Sequence, residues 1–168
     1  MCHIGGTYAA VLSLLARDNL TPDLHPTRNR IKIDKQLLFY PSVDRSRTTQ
    51  YKSVEEFKNP YMLPKETSNF FLKSYMPRDA DVTIFTRDIR VSPLLAKSFK
   101  GLPPTVLVTA ELDVLRDVGI AYKDRLRKSG VRCHYVRVLN STHGFISMSF
   151  LPEMKETLRS ALDMLEDI

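Results

Sequence analysis

Two residues that could perform acid–base chemistry, Asp113 and His143, stand thirty positions apart in this sequence. Each follows an apolar run typical of a buried strand, Thr105–Ala110 before the acid and Cys133–Leu139 before the histidine. A carboxylate that accepts a hydrogen bond from imidazole Nδ1 fixes the tautomer of the ring, so that Nε2 can take a proton from a nucleophile. The pair is therefore a candidate for the last two members of a nucleophilic triad.

Simpler interpretations of both residues remain open, and a neighbouring carboxylate offers an alternative acid. Asp113 could cap the following helix, because carboxylates are favoured at helix N-termini. His143 could be an ordinary loop histidine. Asp117, four residues after Asp113, is a second candidate for the acid or a surface carboxylate at a helix start. The other histidines, His25 and His134 among them, lack the spacing of metal ligands, so no metal site is expected.

The first predicted elements are a helix and a strand. Apolar residues at helical spacing, together with a high alanine content, predict a helix over residues 7–18 that is buried on more than one side. The residues that mark its stripe are Tyr8, Val11, Leu12 and Leu15. The short run Gln36–Tyr40, stopped by Pro41, predicts a strand in a covered parallel sheet.

The second half of the chain alternates regularly between strands and helices. Thr105–Ala110 and Cys133–Leu139 predict two further strands, and Arg116–Lys128 predicts a helix between them. A last helix opens near Pro152, with one apolar face formed by Met154, Leu158, Ala161, Leu162 and Leu165. This order predicts an α/β fold of about three parallel strands with flanking helices. Ligands in such sheets bind beyond the carboxyl ends of the strands, where Asp113 and His143 fall.

Residues 42–100 lack the alternation of a strand and are punctuated by prolines. Val54–Phe57 and Lys65–Tyr75 predict short helices, and the whole stretch is interpreted as an excursion over the sheet. Its large apolar residues either line a cavity or, as we favour, pack the excursion against the sheet. These residues are Phe57, Tyr61, Met62, Phe70, Phe71, Tyr75 and Met76.

Composition argues against several functional classes. The 168 residues suffice for one domain, and 43% hydrophobic with 26% charged residues is typical of a globular protein. The net charge is +6, but the basic residues are mixed with acids, so nucleic-acid binding is not expected. No apolar run reaches the roughly 18 residues of a membrane span, and no signal peptide is recognised. Two cysteines, Cys2 and Cys133, favour a reducing, cytoplasmic compartment. No cofactor is expected.

Taken together, the motifs resemble the C-terminal half of the hormone-sensitive-lipase-like family of esterases and lipases, which has the α/β-hydrolase fold. The resemblance covers residues 1–150, nearly the whole chain. Asp113-Val114-Leu115-Arg116-Asp117 resembles the family's acid motif Asp-Pro-Leu-Arg-Asp, with valine in place of proline. His143-Gly144-Phe145 resembles the loop of the catalytic histidine. Two further segments are similar to those around the sixth and seventh strands, Tyr40–Asp44 and Ser92–Pro104.

The family's nucleophilic serine lies in a Gly-Asp-Ser-Ala-Gly-Gly turn that leads directly into a helix. When Gly5-Gly6 is aligned with the last two glycines, His3 takes the serine position and Cys2 the aspartate position. His3 cannot form an ordinary acyl-enzyme ester, and Cys2 would point away from His143. The backbone N–H of Ile4 would be one oxyanion donor, but the family's His-Gly-Gly-Gly loop does not occur in these residues. Loss of one such donor costs roughly 100- to 1,000-fold in rate.

The resemblance implies a carboxylester hydrolase acting on small-molecule esters, with Asp113 as acid and His143 as base. Because His3 replaces serine, this chain alone is expected to be inactive, a single truncated domain over residues 1–168 with residues 42–100 as a cap-like excursion. The alternatives are a non-catalytic binding or interaction module built on half a hydrolase sheet, or a truncated reading of a longer gene. An unpaired edge at Gln36–Tyr40 predicts a homodimer or poor solubility.

Overall fold

Three parallel strands and six α-helices make up the part of the chain that the structure describes. A computed structural model describes residues 3–20, 31–46, 48–57 and 63–168. The elements are α1 (His3–Arg17), β1 (Gln36–Phe39), α2 (Lys52–Glu56), α3 (Lys65–Tyr75), α4 (Val82–Arg87), β2 (Thr105–Leu112), α5 (Arg116–Lys128), β3 (Cys133–Thr142) and α6 (Pro152–Glu166). The strands lie in the order β1-β2-β3, and both pairs are parallel. The expected α/β fold class is confirmed.

β2 is the central strand and is covered on both faces. Its residues are buried from Thr105 to Ala110, as its Thr-Val-Leu-Val-Thr sequence leads one to expect of a central parallel strand. In the register of the sheet, Thr105 lies opposite both Gln36 of β1 and Cys133 of β3. The three strands therefore start level with one another and run in the same direction.

The two longer strands continue beyond their predicted ends. β2 runs to Leu112 rather than Ala110, and β3 runs to Thr142 rather than Leu139. A register irregularity between Ala110 and Leu112 accompanies this extension. As a result, Asp113 and His143 each follow directly on the last residue of a strand, at the carboxyl edge of the sheet.

Helices cover the sheet in two layers. α1 and α5 pack on one face, in a core cluster that includes Leu14, Leu107 and Tyr122. α6 packs on the other face, where Ala161 joins Val106. No helix in the described ranges has both the length and the apolarity needed to cross a membrane.

The buried face of α1 differs from the predicted stripe. The helix begins at His3 instead of residue 7, and Tyr8 and Leu12 are 44% and 43% exposed. Ala10 and Leu14 are buried instead. Small residues let the helix approach β1 closely, and this orientation turns the two larger side chains outward. The prediction that α1 is buried on more than one side is therefore wrong for Tyr8 and Leu12.

α6 shows the same kind of rotation. Ala161 is fully buried, whereas Leu158 and Leu162 are 36% and 45% exposed. Thr157, a polar residue, is buried beside Ala161 in their place. The contact is centred on the smallest side chain because that residue allows the shortest distance between helix and sheet. The predicted face is thus wrong for the two leucines.

Among its described residues, the excursion over residues 42–100 contains one α-helix more than predicted. α3 has its predicted bounds, and α2 covers Lys52–Glu56 where Val54–Phe57 was expected. α4 was not predicted. Its start is marked by Asp81, whose carboxylate accepts hydrogen bonds from the backbone N–H groups of Thr83 and Ile84, as an N-cap residue does.

Gly6 allows the close approach of α1 to the end of β1. A Cβ atom at this position would lie 2.9 Å from the backbone oxygen of Phe39 and 3.2 Å from Cβ of Pro41. Neither group is the flexible end of a side chain, so a larger residue would force the helix away from the strand. Gly5, next to it, has no atom within 4 Å of the corresponding position.

Gly6→Ala should lower the free energy of unfolding by about 1–3 kcal/mol, because the added methyl group overlaps backbone atoms that cannot move away. Gly5→Ala is the matched control and should raise it by about 1 kcal/mol, since alanine is the better helix former. Urea unfolding followed by circular dichroism measures both. Equal effects of the two substitutions would contradict the close approach.

Candidate active site

Asp113 is held by the turn that joins β2 to α5. The residue is 1% exposed, and its Oδ1 accepts a hydrogen bond from the backbone N–H of Leu115 at 2.9 Å. The backbone N–H of Arg116, the first residue of α5, donates to the Asp113 carbonyl at 3.0 Å. One carboxylate oxygen thus holds the residue that precedes α5 without capping the helix itself, and the other oxygen faces the end of β3.

His143 lies in a tight turn directly after β3. Gly144 has a φ of 85°, in the left-handed region that glycine adopts without strain. Phe145 is fully buried and anchors the turn against the core. This turn directs the imidazole back towards Asp113, and His143 itself is 6% exposed.

The two side chains meet in a short hydrogen bond. His143 Nδ1 lies 2.8 Å from Oδ2 of Asp113. A carboxylate only accepts, so the neutral ring carries its proton on Nδ1 and its lone pair on Nε2. Burial of a carboxylate is costly unless it is hydrogen-bonded, and here both oxygens have a donor. The arrangement orients the imidazole and leaves Nε2 as the basic nitrogen.

Tyr40 contacts the imidazole from the end of β1, a role that the sequence analysis missed. The residue is fully buried, and its ring centroid lies 4.6 Å from that of His143 and 5.8 Å from that of Phe145. Its φ of 33° is unusual for a residue with a side chain, and such strain is found where surrounding structure fixes a functional group. The available signal was its position at the carboxyl end of a strand, the edge that also carries Asp113 and His143.

A narrow cleft lies beside the Asp113–His143 pair. Phe57, Leu63, Leu112 and Val114 form it together with the two polar residues. Cavity lining was the less favoured interpretation of the aromatic and methionine residues in the excursion, yet Phe57 lines this cleft, and Phe71 and Tyr75 line a second cavity beside α1. Phe70 is 65% exposed instead. Met76 lines neither, and Tyr61 and Met62 lie outside the described residues.

Asp117, the alternative acid, holds α2 rather than an imidazole. Its Oδ2 accepts from the backbone N–H of Ser53 at 2.9 Å, and its own N–H donates to Ser53 Oγ at 3.2 Å. Ser53 Oγ in turn donates to the carbonyl of Val114 at 2.9 Å. Val114, which replaces the family's proline, therefore connects α2 to the loop that carries Asp113.

Arg116 completes this connection. The Nη2 atom of Arg116 donates to Oε2 of Glu56 at 2.8 Å, and its Nε donates to Oδ1 of Asp117 at 2.8 Å. The guanidinium lies 5.0 Å above the ring of Phe57, which forms one wall of the cleft. Burial alone would raise the pKa of Asp117, but hydrogen bonds from Arg116 and Ser53, with the charges of Arg116 and Lys52, hold that pKa below its usual value.

The expected nucleophile region is described only in its backbone. His3 is the first residue of α1, and Ile4 lies in the first turn, where backbone N–H groups have no acceptor within the helix. Cys2 and His25 lie outside the described residues. His134 lies in β3 opposite Val106 and not at the carboxyl edge.

Cys133 is too distant and too weakly acidic to act as the nucleophile. It begins β3, and His143 follows the other end of that strand, roughly 30 Å away at about 3.3 Å per residue. Burial raises the pKa of its thiol to about 11, so the reactive thiolate is scarce at neutral pH. Among the described residues, no group of three His, Cys, Asp or Glu side chains could hold a metal ion.

Comparison with known proteins gives the family. The α/β-hydrolase fold family matches residues 3–147. The chain is 37% identical over 144 residues to the carboxylic ester hydrolase LipN of Mycobacterium tuberculosis. The aligned residues make up 86% of this chain and 36% of LipN. A putative α/β hydrolase of Acanthamoeba polyphaga mimivirus is 34% identical over 170 residues, 98% of this chain and 45% of that protein. A fungal esterase from Rhizomucor miehei with a solved structure is 33% identical to this chain, and its TM-score is 0.83. The superposition covers 98% of this chain and 49% of the esterase chain.

The chain belongs to the α/β-hydrolase fold, in the esterase family identified above as hormone-sensitive-lipase-like. That resemblance is confirmed. The chain spans less than half the length of each of these three relatives.

Asp117→Asn should lower the free energy of unfolding at pH 7 by about 1 kcal/mol, because it removes a charge that accepts from Arg116 and Ser53. The folded-state pKa of Asp117 is depressed, so its stabilisation is present above the unfolded value of about 4 and is lost as pH falls through the folded value. Urea unfolding at pH 7 and near pH 2 measures both limits.

Asp124→Asn is the control for this prediction, because Asp124 is a 52% exposed carboxylate of the same helix, paired with Lys123. It should have less than half the effect of Asp117→Asn at pH 7. A deficit of Asp117→Asn that persists undiminished near pH 2 would contradict the role of its charge.

Proposed function

We propose that this chain carries the acid and base of a carboxylester hydrolase site. The supporting observation is the 2.8 Å contact between Asp113 and His143, both buried at the carboxyl edge of a parallel sheet. In the proposed reaction, His143 Nε2 takes a proton from a nucleophile during attack on the ester carbonyl and returns it to the leaving alcohol. Asp113 holds the ring in the required tautomer and stabilises the imidazolium that forms. The substrates are small-molecule esters, as the relatives' names suggest.

His3 occupies the nucleophile position in this proposal, and the backbone N–H of Ile4 is an oxyanion donor. An imidazole at this position cannot form the usual acyl-enzyme ester, so turnover by these 168 residues alone is expected to be negligible. In the proposed organisation residues 1–168 form one domain, with residues 42–100 as a cap-like excursion over the cleft. Phe57 would shield the reacting atoms from water on this side.

A non-catalytic binding module is the second candidate, and His3 in place of serine is the observation that favours it. Association of two copies through β1 and location in the cytoplasm stay predictions. Both candidates use the same half sheet. They differ in whether His143 accepts a proton from a nucleophile.

The purified chain should hydrolyse p-nitrophenyl acetate and butyrate no faster than its His143→Ala variant, because His3 stands at the position of the family's nucleophilic serine. The measurement is p-nitrophenolate release at neutral pH with matched protein concentrations. A rate well above that of His143→Ala would mean that a working nucleophile is already present.

His3→Ser tests the acid and base directly. The new hydroxyl should react with a fluorophosphonate, an acylation analogue that labels activated serines, and labelling should be at least roughly 100-fold slower in His3→Ser/His143→Ala, within the range of general-base effects. Mass spectrometry of the intact protein measures the covalent adduct. Equal labelling of the two variants would refute the proposed base and favour the binding module.

A further inference from the structure

A cavity of about 80 Å³ lies between α1 and α3, and neither Asp113 nor His143 lines it. α1 contributes Thr7 and Tyr8 to its wall, and α3 contributes Phe71 and Tyr75. None of the residues that line this cavity lines the cleft beside His143. One ordered water needs about 10–15 Å³ of such space, so the cavity accepts a ligand of roughly five to eight non-hydrogen atoms.

The buried hydroxyl of Ser42 is the polar group that a ligand could satisfy. Ser42 is 5% exposed and lines the cavity, and its Oγ has no hydrogen-bond partner among the described residues. Thr7 fixes the serine backbone, since its Oγ1 donates to the Ser42 carbonyl at 3.0 Å and accepts from the Ser42 N–H at 3.1 Å. A rigidly placed, buried hydroxyl without a partner is unfavourable, and an acceptor within the cavity would remove this cost.

The charged groups of the lining are both cations. Arg45 and Arg90 line the cavity, and no acidic side chain does so among the described residues. Arg45 is held in place by Ser68, to which its guanidinium donates two hydrogen bonds of 2.7 Å. Arg90 is paired with Asp88 and is 68% exposed in its side chain, at the outer part of the lining. Asp88 offsets part of the Arg90 charge, but the lining still contains two guanidiniums and no carboxylate among the described residues, so it favours an anionic ligand over a cationic one.

We propose that this cavity binds a short-chain carboxylate. One carboxylate oxygen accepts from Ser42 Oγ, the guanidiniums neutralise the charge, and the hydrocarbon chain packs on Phe71, Leu72 and Val91. Butyrate falls in the accepted size range. Carboxylates of this kind are the acid products of ester hydrolysis, but binding at this site needs no catalytic step. The inference goes beyond the proposed function and stands or fails separately from it.

The test is a titration of the ¹⁵N-labelled chain with sodium butyrate at constant ionic strength, followed by ¹H–¹⁵N correlation spectra. Saturable shifts are expected at the lining residues, and 1-butanol and inorganic phosphate should bind at least roughly tenfold more weakly. Ser42→Ala should weaken butyrate binding about tenfold, the loss of one hydrogen bond to a charged group. Arg90→Gln, at an exposed side chain that leaves the core intact, should also weaken it.

Ser74→Ala is the matched control, because Ser74 lies on α3 but is exposed, does not line the cavity, and donates to the carbonyl of Phe70 in its own helix. It should leave butyrate binding unchanged. Butanol binding as tightly as butyrate would overturn the carboxylate class. Phosphate binding as tightly as butyrate would show a general attraction of anions and would overturn the preference for a carboxylate. Unchanged butyrate affinity in both Ser42→Ala and Arg90→Gln would overturn the site itself.

Discussion

The hydrogen bond between Asp113 and His143 requires two parallel strands to end level with each other at one edge of the sheet. β2 and β3 meet this requirement because each continues to the residue before its polar side chain. A carboxylate that is 1% exposed would be strongly unfavourable alone, so the imidazole and the Leu115 N–H are needed for stability as well as for chemistry. The helices on both faces bury the strands that lead to this edge.

Backbone geometry places the remaining groups around that hydrogen bond. Gly144 turns the chain after His143, and Phe145 anchors the turn beneath the ring of Tyr40. Tyr40 adopts a strained φ where β1 ends, and its ring then lies against the imidazole. Asp117 fastens α2 through hydrogen bonds with Ser53, which keeps the wall of the cleft beside the pair. Three separate segments thus limit the motion of one imidazole.

Local patterns in the sequence were enough to predict the strands, α3 and α5, since strand runs and helix stops are encoded by neighbouring residues. The pairing of Asp113 with His143 was predicted from the ends of two strands together with the resemblance to the family. Which face of α1 is buried was not predictable, because the outward orientation of Tyr8 and Leu12 depends on how closely Gly6 approaches β1. The contact of Tyr40 with the imidazole was also beyond reach, since it joins segments about a hundred residues apart. α4 was missed although Asp81 marks its start.

The most direct test of the account is the protonation of the His143 ring, measured by ¹H–¹⁵N NMR at neutral pH with Asp113→Asn and Asp117→Asn for comparison. The account predicts a proton on Nδ1 that is protected from exchange, lost or strongly shifted in Asp113→Asn, and retained in Asp117→Asn, because Asp113 accepts from the ring whereas Asp117 bonds Ser53 and Arg116. A proton on Nε2, or a ring signal that responds to Asp117→Asn and ignores Asp113→Asn, would contradict it.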